Sequence, residues 1–426
     1  MTTSLFAAPL ESAPPLQGRV ASVDALRGLV MFTMIFVNDL AGAPESLVPA
    51  WMRHFHGKSG MTFVDLVFPA FLFIVGMSIP FALGSRFSKG EPFWRIIMHI
   101  LGRTLGLLLV GIMMVNETPD SAVMGWSGAL WSVLLYLAAI FAFCRISPYF
   151  RSEADPALIR RRRIISSALR ILGFVTLVFL AFAFRGTNGQ RIISLSPFFI
   201  HTEWYGILGL IGWAYLVGSL AFLVFEGRRT ALLGVTVLLL CLYAADRGGL
   251  FQNFWLAKYV GIGGTLGSQA SITVAGTLLG SILVTPDTTT VRSRTQFTLL
   301  FIAGFTAGAL LLHRLYGINK NSATPSWCLW ACAITAALWL LFYFLCDVHP
   351  VSSITKPLTI AGSNVLLAYL LSEMMPSALD LIGLGAFYGR LAQLSLAAAV
   401  IRSIGCAILI LSVTASLNRI GFSVKL

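Results

Sequence analysis

Apolar segments long enough to span a membrane recur along the whole chain, and this feature constrains the fold more than any other. A helix that crosses a hydrocarbon core of about 30 Å needs roughly 20 apolar residues. Twelve segments approach that length: 23–40, 62–83, 96–115, 124–144, 165–184, 203–225, 231–245, 262–284, 295–313, 327–346, 358–375 and 391–417. We therefore expect an all-α polytopic membrane bundle with about twelve transmembrane helices, within a range of ten to twelve.

The composition excludes the main soluble classes. Hydrophobic residues make up 57% of the chain and charged residues only 11%, whereas soluble domains carry about 25% charged residues. So little charge cannot cover the surface of a soluble enzyme, a nucleic-acid-binding domain or a disordered protein. The net charge of +13 therefore points to a membrane surface and not to nucleic acid.

The basic residues predict the orientation of the chain. If the N-terminus is cytoplasmic, 20 of the 30 Lys and Arg residues lie on the cytoplasmic side and nine on the other, with Arg402 inside the last span. This excess favours cytoplasmic termini. The proline-containing residues 1–20 are predicted to form a disordered cytoplasmic tail without a cleavable signal, and residues 21–426 a single transmembrane domain.

Four polar residues are expected at the extracytoplasmic mouth of the first helical hairpin. Asn38 ends the first span, His54 and His56 lie in the following loop, and Asp65 opens the second span. A histidine can act as a base near neutral pH, a carboxylate can fix its tautomer, and an amide can orient a substrate. The competing interpretation is a loop histidine beside a helix start that Thr62 and Asp65 cap.

A second polar group is predicted on the same side of the membrane. Asn319, Lys320 and Asn321 form a loop, and Glu373 lies one turn from that face. Such side chains suit the hydroxyl and amine groups of a sugar, while Trp204 and Trp327 suit its ring. The competing assignment for both tryptophans is the aromatic belt at the membrane interface. No zinc-type spacing, Walker loop or GxSxG motif occurs, so we expect no metal.

The first hairpin carries a family resemblance. Residues 22–28 (SVDALRG), 37–39 (VND), His54 and 60–69 (GMTFVDLVFP) resemble the heparan-α-glucosaminide N-acetyltransferase family, in particular its bacterial branch. The segments 204–213, 317–321 and 362–364 also look similar to that family. The resemblance extends over most of the chain and is most specific in the first hairpin.

The resemblance implies a transmembrane acetyltransferase. Members of the family take acetyl groups from cytoplasmic acetyl-CoA and place them on the amino group of a terminal glucosamine. Their essential His, Asn and Asp correspond to His54, Asn38 and Asp65. His54 stands six residues before Gly60 and His56 four, whereas the lysosomal members have five. The bacterial Trp-x-x-His pattern favours His54, with His56 as the alternative. The histidine would either deprotonate the acceptor amine or carry the acetyl group.

The same resemblance gives a basic stripe a candidate role. Arg95, His99 and Arg103 recur at intervals of four residues on the cytoplasmic half of the third span, and Arg27 lies on the same side in the first. These residues are candidates for binding the phosphates of coenzyme A. The competing interpretation is a set of interfacial anchors that follow the charge rule.

Two functions stay open at this point. The first is acetyl transfer from acetyl-CoA, the co-substrate, to a small sugar. The alternative is a permease for N-acetylglucosamine or a related sugar, although no internal repeat supports it. In either case we expect a bacterial inner-membrane protein surrounded by lipid, with no nucleic-acid partner and with a homodimer as the candidate oligomer.

Overall fold

The structure, a computed structural model, describes residues 20–115, 119–147, 156–195, 198–201 and 204–425. It is an all-α membrane protein, as predicted. The first helices are α1 (Ala21–Leu40), α2 (Val64–Ser88), α3 (Phe93–Val115), α4 (Ser121–Met124), α5 (Gly128–Ala142), α6 (Pro156–Ala183), α7 (Gly206–Phe225) and α8 (Arg229–Arg247). They are followed by α9 (Ala270–Ser281), α10 (Val291–Tyr316), α11 (Pro325–Tyr343), α12 (Ser352–Ala361), α13 (Val365–Leu381), α14 (Gly385–Leu394) and α15 (Leu396–Arg419).

Four short strands and several short 3-10 and π-helical segments also occur in these ranges. Strand β1 (Cys144–Ile146) pairs antiparallel with β4 (Phe422–Val424), and β2 (Ile193–Leu195) pairs antiparallel with β3 (Phe198–Ile200). The predicted N-terminal tail covers residues 1–20, of which residues 1–19 lie outside the described ranges.

Within these ranges, ten helical segments are long and apolar enough to span a membrane. Two of the twelve predicted spans are irregular. Helix α5 has only 15 residues, and residues 262–281 begin as the π-helix Ile262–Gln269 before continuing as α9. The π-helical turns coincide with a Gly- and Ser-rich sequence that favours a regular helix weakly.

Contacts between loops indicate that both irregular segments cross the membrane. The N–H of Asp120, before α5, donates to the carbonyl of Arg185, after α6, at 2.9 Å. Arg229, at the start of α8, binds Asp287, after α9, at 2.9 Å. Loops in direct contact lie on one side of the bilayer, so each pair of intervening helices must cross together. The twelve predicted spans are thus accounted for.

The chain divides into two compact units. The first contains Met1–Leu26, Ala50–Leu107 and Leu210–Lys356, and the second contains Arg27–Pro49, Leu108–Gly209 and Pro357–Leu426. The prediction of a single transmembrane domain is not tested by this division and stays a prediction.

In the first unit, α2 and α9 pack with their backbones almost in contact. A Cβ atom on Gly76 would lie 2.0 Å from the carbonyl oxygen of Thr273, so only glycine fits there. The hydroxyl of Thr273 donates to Leu72 O at 3.1 Å, and that of Thr277 donates to Gly76 O at 3.2 Å. Small residues and hydroxyls hold membrane helices together in this way. This contact fixes the helix that carries Asp65.

The second unit is built around a similarly close contact between α5 and α6. A Cβ atom on Gly173 would lie 2.3 Å from the backbone nitrogen of Ala142. The buried Trp131 indole donates to Leu180 O at 3.1 Å and packs on Phe184. Aromatic packing of this kind compensates for the short length of α5.

Candidate active site

A histidine and a carboxylate form a direct pair at the start of α2. His54 Nδ1 lies 2.8 Å from Asp65 Oδ1. The Asp65 side chain is 2% exposed, whereas that of His54 is 42% exposed. The carboxylate is therefore enclosed by protein while the imidazole is open to ligand. The pairing confirms that the two residues, separated by eleven positions in sequence, come together.

Backbone groups of the preceding loop hold the carboxylate in place. Asp65 Oδ2 accepts the N–H groups of Phe55 and Thr62, each at 3.1 Å. The Thr62 hydroxyl accepts the N–H of Val64 at 3.2 Å and donates to Arg53 O at 2.7 Å. The Thr62 hydroxyl thus pairs with the N–H of the first helical residue, whereas Asp65 binds the preceding loop, so that these bonds fix the chain on both sides of His54.

Lys320 is the third member of this cluster. Its Nζ lies 3.1 Å from His54 Nδ1 and 3.8 Å from Asp65 Oδ1. The loop between α10 and α11 brings it there, because Gly60 N–H donates to Ile318 O at 2.8 Å and Ile318 N–H to Ser59 Oγ at 3.0 Å. The sequence suggested a substrate contact for Lys320 but not its position beside the histidine.

The three contacts define two protonation patterns. Nδ1 cannot donate to Asp65 and accept from Lys320 at the same time. With the proton on Nδ1, Asp65 accepts it and Nε2 carries a free lone pair. With Lys320 donating to Nδ1, the proton lies on Nε2 and the ammonium balances the carboxylate. The shorter Asp65 contact favours the first pattern, which leaves Nε2 basic.

Burial lowers the pKa of Lys320, although the attraction of Asp65 opposes that shift.

The other loop residues proposed from the sequence lie around this cluster without joining it. His56 is exposed, and of the two histidines only His54 contacts Asp65. Asn319 caps its own turn, because Asn319 Oδ1 accepts Ser322 N–H at 2.9 Å. Asn321 is exposed.

Asn38 and Glu373 meet within the second unit. Asn38 Nδ2 donates to Glu373 Oε1 at 3.1 Å. Asn38 is predicted from the sequence to be catalytic and Glu373 to bind substrate, but their contact is not predicted. An amide held by a carboxylate keeps a fixed orientation, and its carbonyl oxygen stays available to other donors.

Beside Asn38, Asp39 forms a buried ion pair that the sequence did not predict. Arg402 Nε donates to Asp39 Oδ2 at 3.0 Å, and the two side chains are 6% and 8% exposed. The hydroxyls of Tyr388 and Ser403 also donate to the carboxylate, at 2.8 and 2.6 Å. A single arginine inside the last span was the available signal, since charges at membrane depth pair with one another.

The basic stripe on α3 is only partly engaged. Arg95 is exposed and stacks against Trp94, and His99 is half-buried. The Arg103 guanidinium lies 4.4 Å from the centre of the Tyr215 ring. Within the described part of the chain, Arg103 Nε and the Tyr215 hydroxyl are buried and have no hydrogen-bond partner. Such groups suit a polar ligand. Arg27, in the second unit, donates to Gly362 O at 3.4 Å.

Trp327 does not serve as a stacking platform, because its side chain is fully buried. Trp204 is 46% exposed and stays a candidate. Among the residues that the structure describes, no three His, Cys, Asp or Glu side chains form a group that could hold a metal.

These observations define a polytopic helical membrane protein with a carboxylate–histidine pair at a loop between two spans. A family model described as "Domain of unknown function (DUF5009)" matches residues 19–195. That segment contains Asn38, His54 and Asp65 but not Lys320 or Glu373.

Two curated relatives are similar over part of their length. Heparan-alpha-glucosaminide N-acetyltransferase of Homo sapiens is 33% identical over 117 residues, which are 28% of this chain and 16% of the relative. The protein of the same name from Mus musculus is 32% identical over 108 residues, 25% of this chain and 16% of the relative. The chain thus spans about one-sixth of each relative's length. It resembles the heparan-α-glucosaminide N-acetyltransferase family.

Proposed function

We propose that the protein is a membrane acetyltransferase that moves an acetyl group from acetyl-CoA to the amino group of a sugar. The observation that carries the proposal is the His54–Asp65 pair, in which an exposed imidazole is oriented by a buried carboxylate. That arrangement is suited to removing a proton from an attacking amine. The names of the two relatives support the same reaction class.

The reaction balances with the groups present. The acceptor nitrogen attacks the thioester carbonyl, His54 Nε2 takes the amine proton, and the carbon–sulfur bond breaks. The proton on His54 then passes to the coenzyme A thiolate, which leaves as a free thiol. Asp65 holds the Nδ1 proton throughout and stabilises the imidazolium. If Nε2 instead attacks the thioester first, the carbon–sulfur bond breaks, coenzyme A leaves as the thiolate and an acetyl-histidine forms. The acceptor amine then attacks this acetyl group, the carbon–Nε2 bond breaks, and the amine proton passes to the thiolate.

Other groups have supporting roles in this proposal. Asn38, which corresponds to an essential Asn of the family it resembles, would hold the thioester carbonyl. Arg103, with its unpartnered buried Nε, and its neighbours Arg95 and His99 would bind coenzyme A phosphates. Arg27 is the corresponding candidate in the second unit. Glu373, His56, Asn319 and Asn321 are candidates for sugar contacts. The orientation rule places the donor in the cytoplasm and the acceptor outside, and the bacterial inner membrane is the proposed location.

The decisive experiment uses purified full-length protein in sealed vesicles with radiolabelled acetyl-CoA and glucosamine. A transferase forms labelled N-acetylglucosamine only when both substrates are present. A permease moves labelled sugar across the vesicle membrane without acetyl-CoA and forms no labelled product, and that result would overturn the proposal. Because ligand binding stabilises the folded state, a transferase should also unfold at higher temperature with acetyl-CoA alone.

A further inference from the structure

A long apolar groove in the first unit is not used by the proposed reaction. It has a volume of about 640 Å³ and is lined by residues from α8, α9, α10 and α11. On α10 it extends from Phe297 to Tyr316, a distance of about 28 Å at 1.5 Å per residue. This length matches the thickness of a bilayer's hydrocarbon core, about 30 Å.

The open side of the groove faces lipid. In the most apolar windows of α8 and α10, only 22% of the residues are buried, against 72% for α2. The floor is buried, as for Phe301 and Leu278, whereas Leu300 on the rim is 73% exposed. In a membrane, an apolar groove of this height that opens sideways accommodates a hydrocarbon chain.

An aromatic ring and a guanidinium lie at each end of the groove. At the predicted cytoplasmic end, the Arg229 guanidinium lies 5.2 Å from the centre of the Phe297 ring. At the other end, Tyr316 packs edge-on against Tyr243, whose hydroxyl accepts a hydrogen bond from Arg247 Nε at 3.2 Å.

The two ends differ in charge. Arg229 is neutralised by two bonds of 2.9 Å to Asp287 and also binds Ser281 and Thr288. Arg247 contacts Tyr243, and the neighbouring Asp246 carboxylate attracts it electrostatically while accepting the N–H of Gly263 at 2.9 Å. Arg247 is thus less neutralised than Arg229, which binds its carboxylate directly. A phosphate is therefore better accommodated at the Arg247 end.

The Arg247 end leads to the histidine pair. Tyr316 is followed by the loop that carries Lys320, four residues later, a reach of at most about 14 Å. Lys320 Nζ lies 3.1 Å from His54 Nδ1. A head group at Arg247 therefore lies on the side of the membrane that carries the imidazole.

From these observations we infer that the acceptor is a phosphate-bearing glycolipid, with its long chain in this groove, its phosphate at Arg247 and its amino sugar at His54. This inference rests on the proposed function only for the role of the sugar. The groove and its charged end define the lipid site independently of any acetyl transfer.

The test is binding of a polyprenyl monophosphate to the purified full-length protein, followed by native mass spectrometry without acetyl-CoA. Gly304→Leu places a side chain in the groove, because a Cβ atom at Gly304 meets nothing within 4 Å. We expect binding at least tenfold weaker than in the wild type. Cys241→Trp, which places a large side chain in the groove from α8, should weaken binding to a similar extent. Gly234→Leu is the matched control, since Gly234 is equally unobstructed but does not line the groove.

Arg247→Gln should remove the preference for the monophosphate over the uncharged polyprenol of the same length. Equal binding to the wild type and both groove variants would overturn the inference, as would displacement by equimolar phosphatidylglycerol or a groove occupied by a second copy of the chain. If binding fails while soluble glucosamine is still acetylated, only the lipid inference falls. If binding succeeds without any transfer, the proposed function falls instead.

Discussion

Asp65 and Asp39 lie in two polar clusters of one membrane protein that differ in their chemical role. Each aspartate accepts several hydrogen bonds and lies opposite a basic side chain. Asp65 pairs with a histidine that is 42% exposed, whereas Asp39 pairs with Arg402, which is 6% exposed. The first cluster leaves a titratable nitrogen open to ligand, and the second leaves none.

This difference separates reactivity from structural support. An arginine does not lose its proton and cannot act as a base, so the Asp39–Arg402 pair is a structural contact between α1 and α15. In the first unit the carboxylate orients a side chain that can act as a base. Burial of an acid is therefore not itself a sign of function. The exposure and chemistry of its basic partner distinguish a reactive pair from a structural one.

The largest expected effect is on catalysis in the first cluster. Asp65→Asn should lower the transfer rate by about 10²–10⁴-fold, because the amide no longer fixes the Nδ1 proton of His54. Rates are measured with labelled acetyl-CoA in vesicles. Near-wild-type turnover in a correctly folded variant would contradict the assigned role of the carboxylate.

Substitutions in the Asp39 cluster should change the stability of the fold. Arg402→Met should lower the free energy of unfolding by about 3–5 kcal/mol, since Asp39 then stays buried without its cation. Thermal unfolding of Arg390→Met, which changes an exposed arginine, is the control and should match the wild type. The double variant Asp39→Asn/Arg402→Met should recover much of the loss. A single Arg402 variant as stable as the wild type would remove the contrast between the clusters.

Lys320 should support the reaction through its contact with His54. Its ammonium lies 3.1 Å from His54 Nδ1 and 3.8 Å from Asp65 Oδ1, so Lys320→Met removes a polar neighbour of both residues. We expect the transfer rate to fall by about tenfold, the equivalent of about one hydrogen bond. Asn321→Ala changes the next, exposed residue and should leave the rate unchanged. A wild-type rate in Lys320→Met would contradict a role for the lysine beside the histidine.

The smallest expected effect is on alkaline stability. Burial holds the pKa of Lys320 below its ordinary value of 10.5. Between the lowered pKa of the folded protein and the ordinary pKa of 10.5, Lys320 is protonated in the unfolded chain but not in the folded one. The free energy of unfolding therefore rises with pH across that window. The wild type should gain thermal stability over that range relative to Lys320→Met. Parallel pH curves for the two proteins would contradict the shift.

The helices and the His54–Asp65 pair could be predicted from the sequence, for physical reasons. The length of apolar segments is fixed by the bilayer, and the pair lies within eleven residues on one loop and the adjoining helix start. The loop contacts support even the two irregular spans, which are apolar in sequence but whose helices are short or begin as a π-helix.

Contacts between distant residues could not be predicted in this way. Lys320 lies 266 positions from His54, and Arg402 lies 363 from Asp39. Local periodicity carries no information on such pairs, although the cost of an isolated charge in a membrane predicts that Arg402 needs an acid. Trp327 shows that the burial of a single side chain also could not be predicted. It lies near a predicted membrane interface in the sequence but is completely buried in the bundle.

The most direct test compares His54→Ala with His56→Ala in the labelled acetyl-transfer assay. The two histidines share a loop, but only His54 contacts Asp65, and His56 is exposed. We predict that His54→Ala folds with wild-type thermal stability and loses at least 10²-fold in transfer rate, while His56→Ala keeps most of its activity. Full activity in His54→Ala, or a loss confined to His56→Ala, would contradict the account.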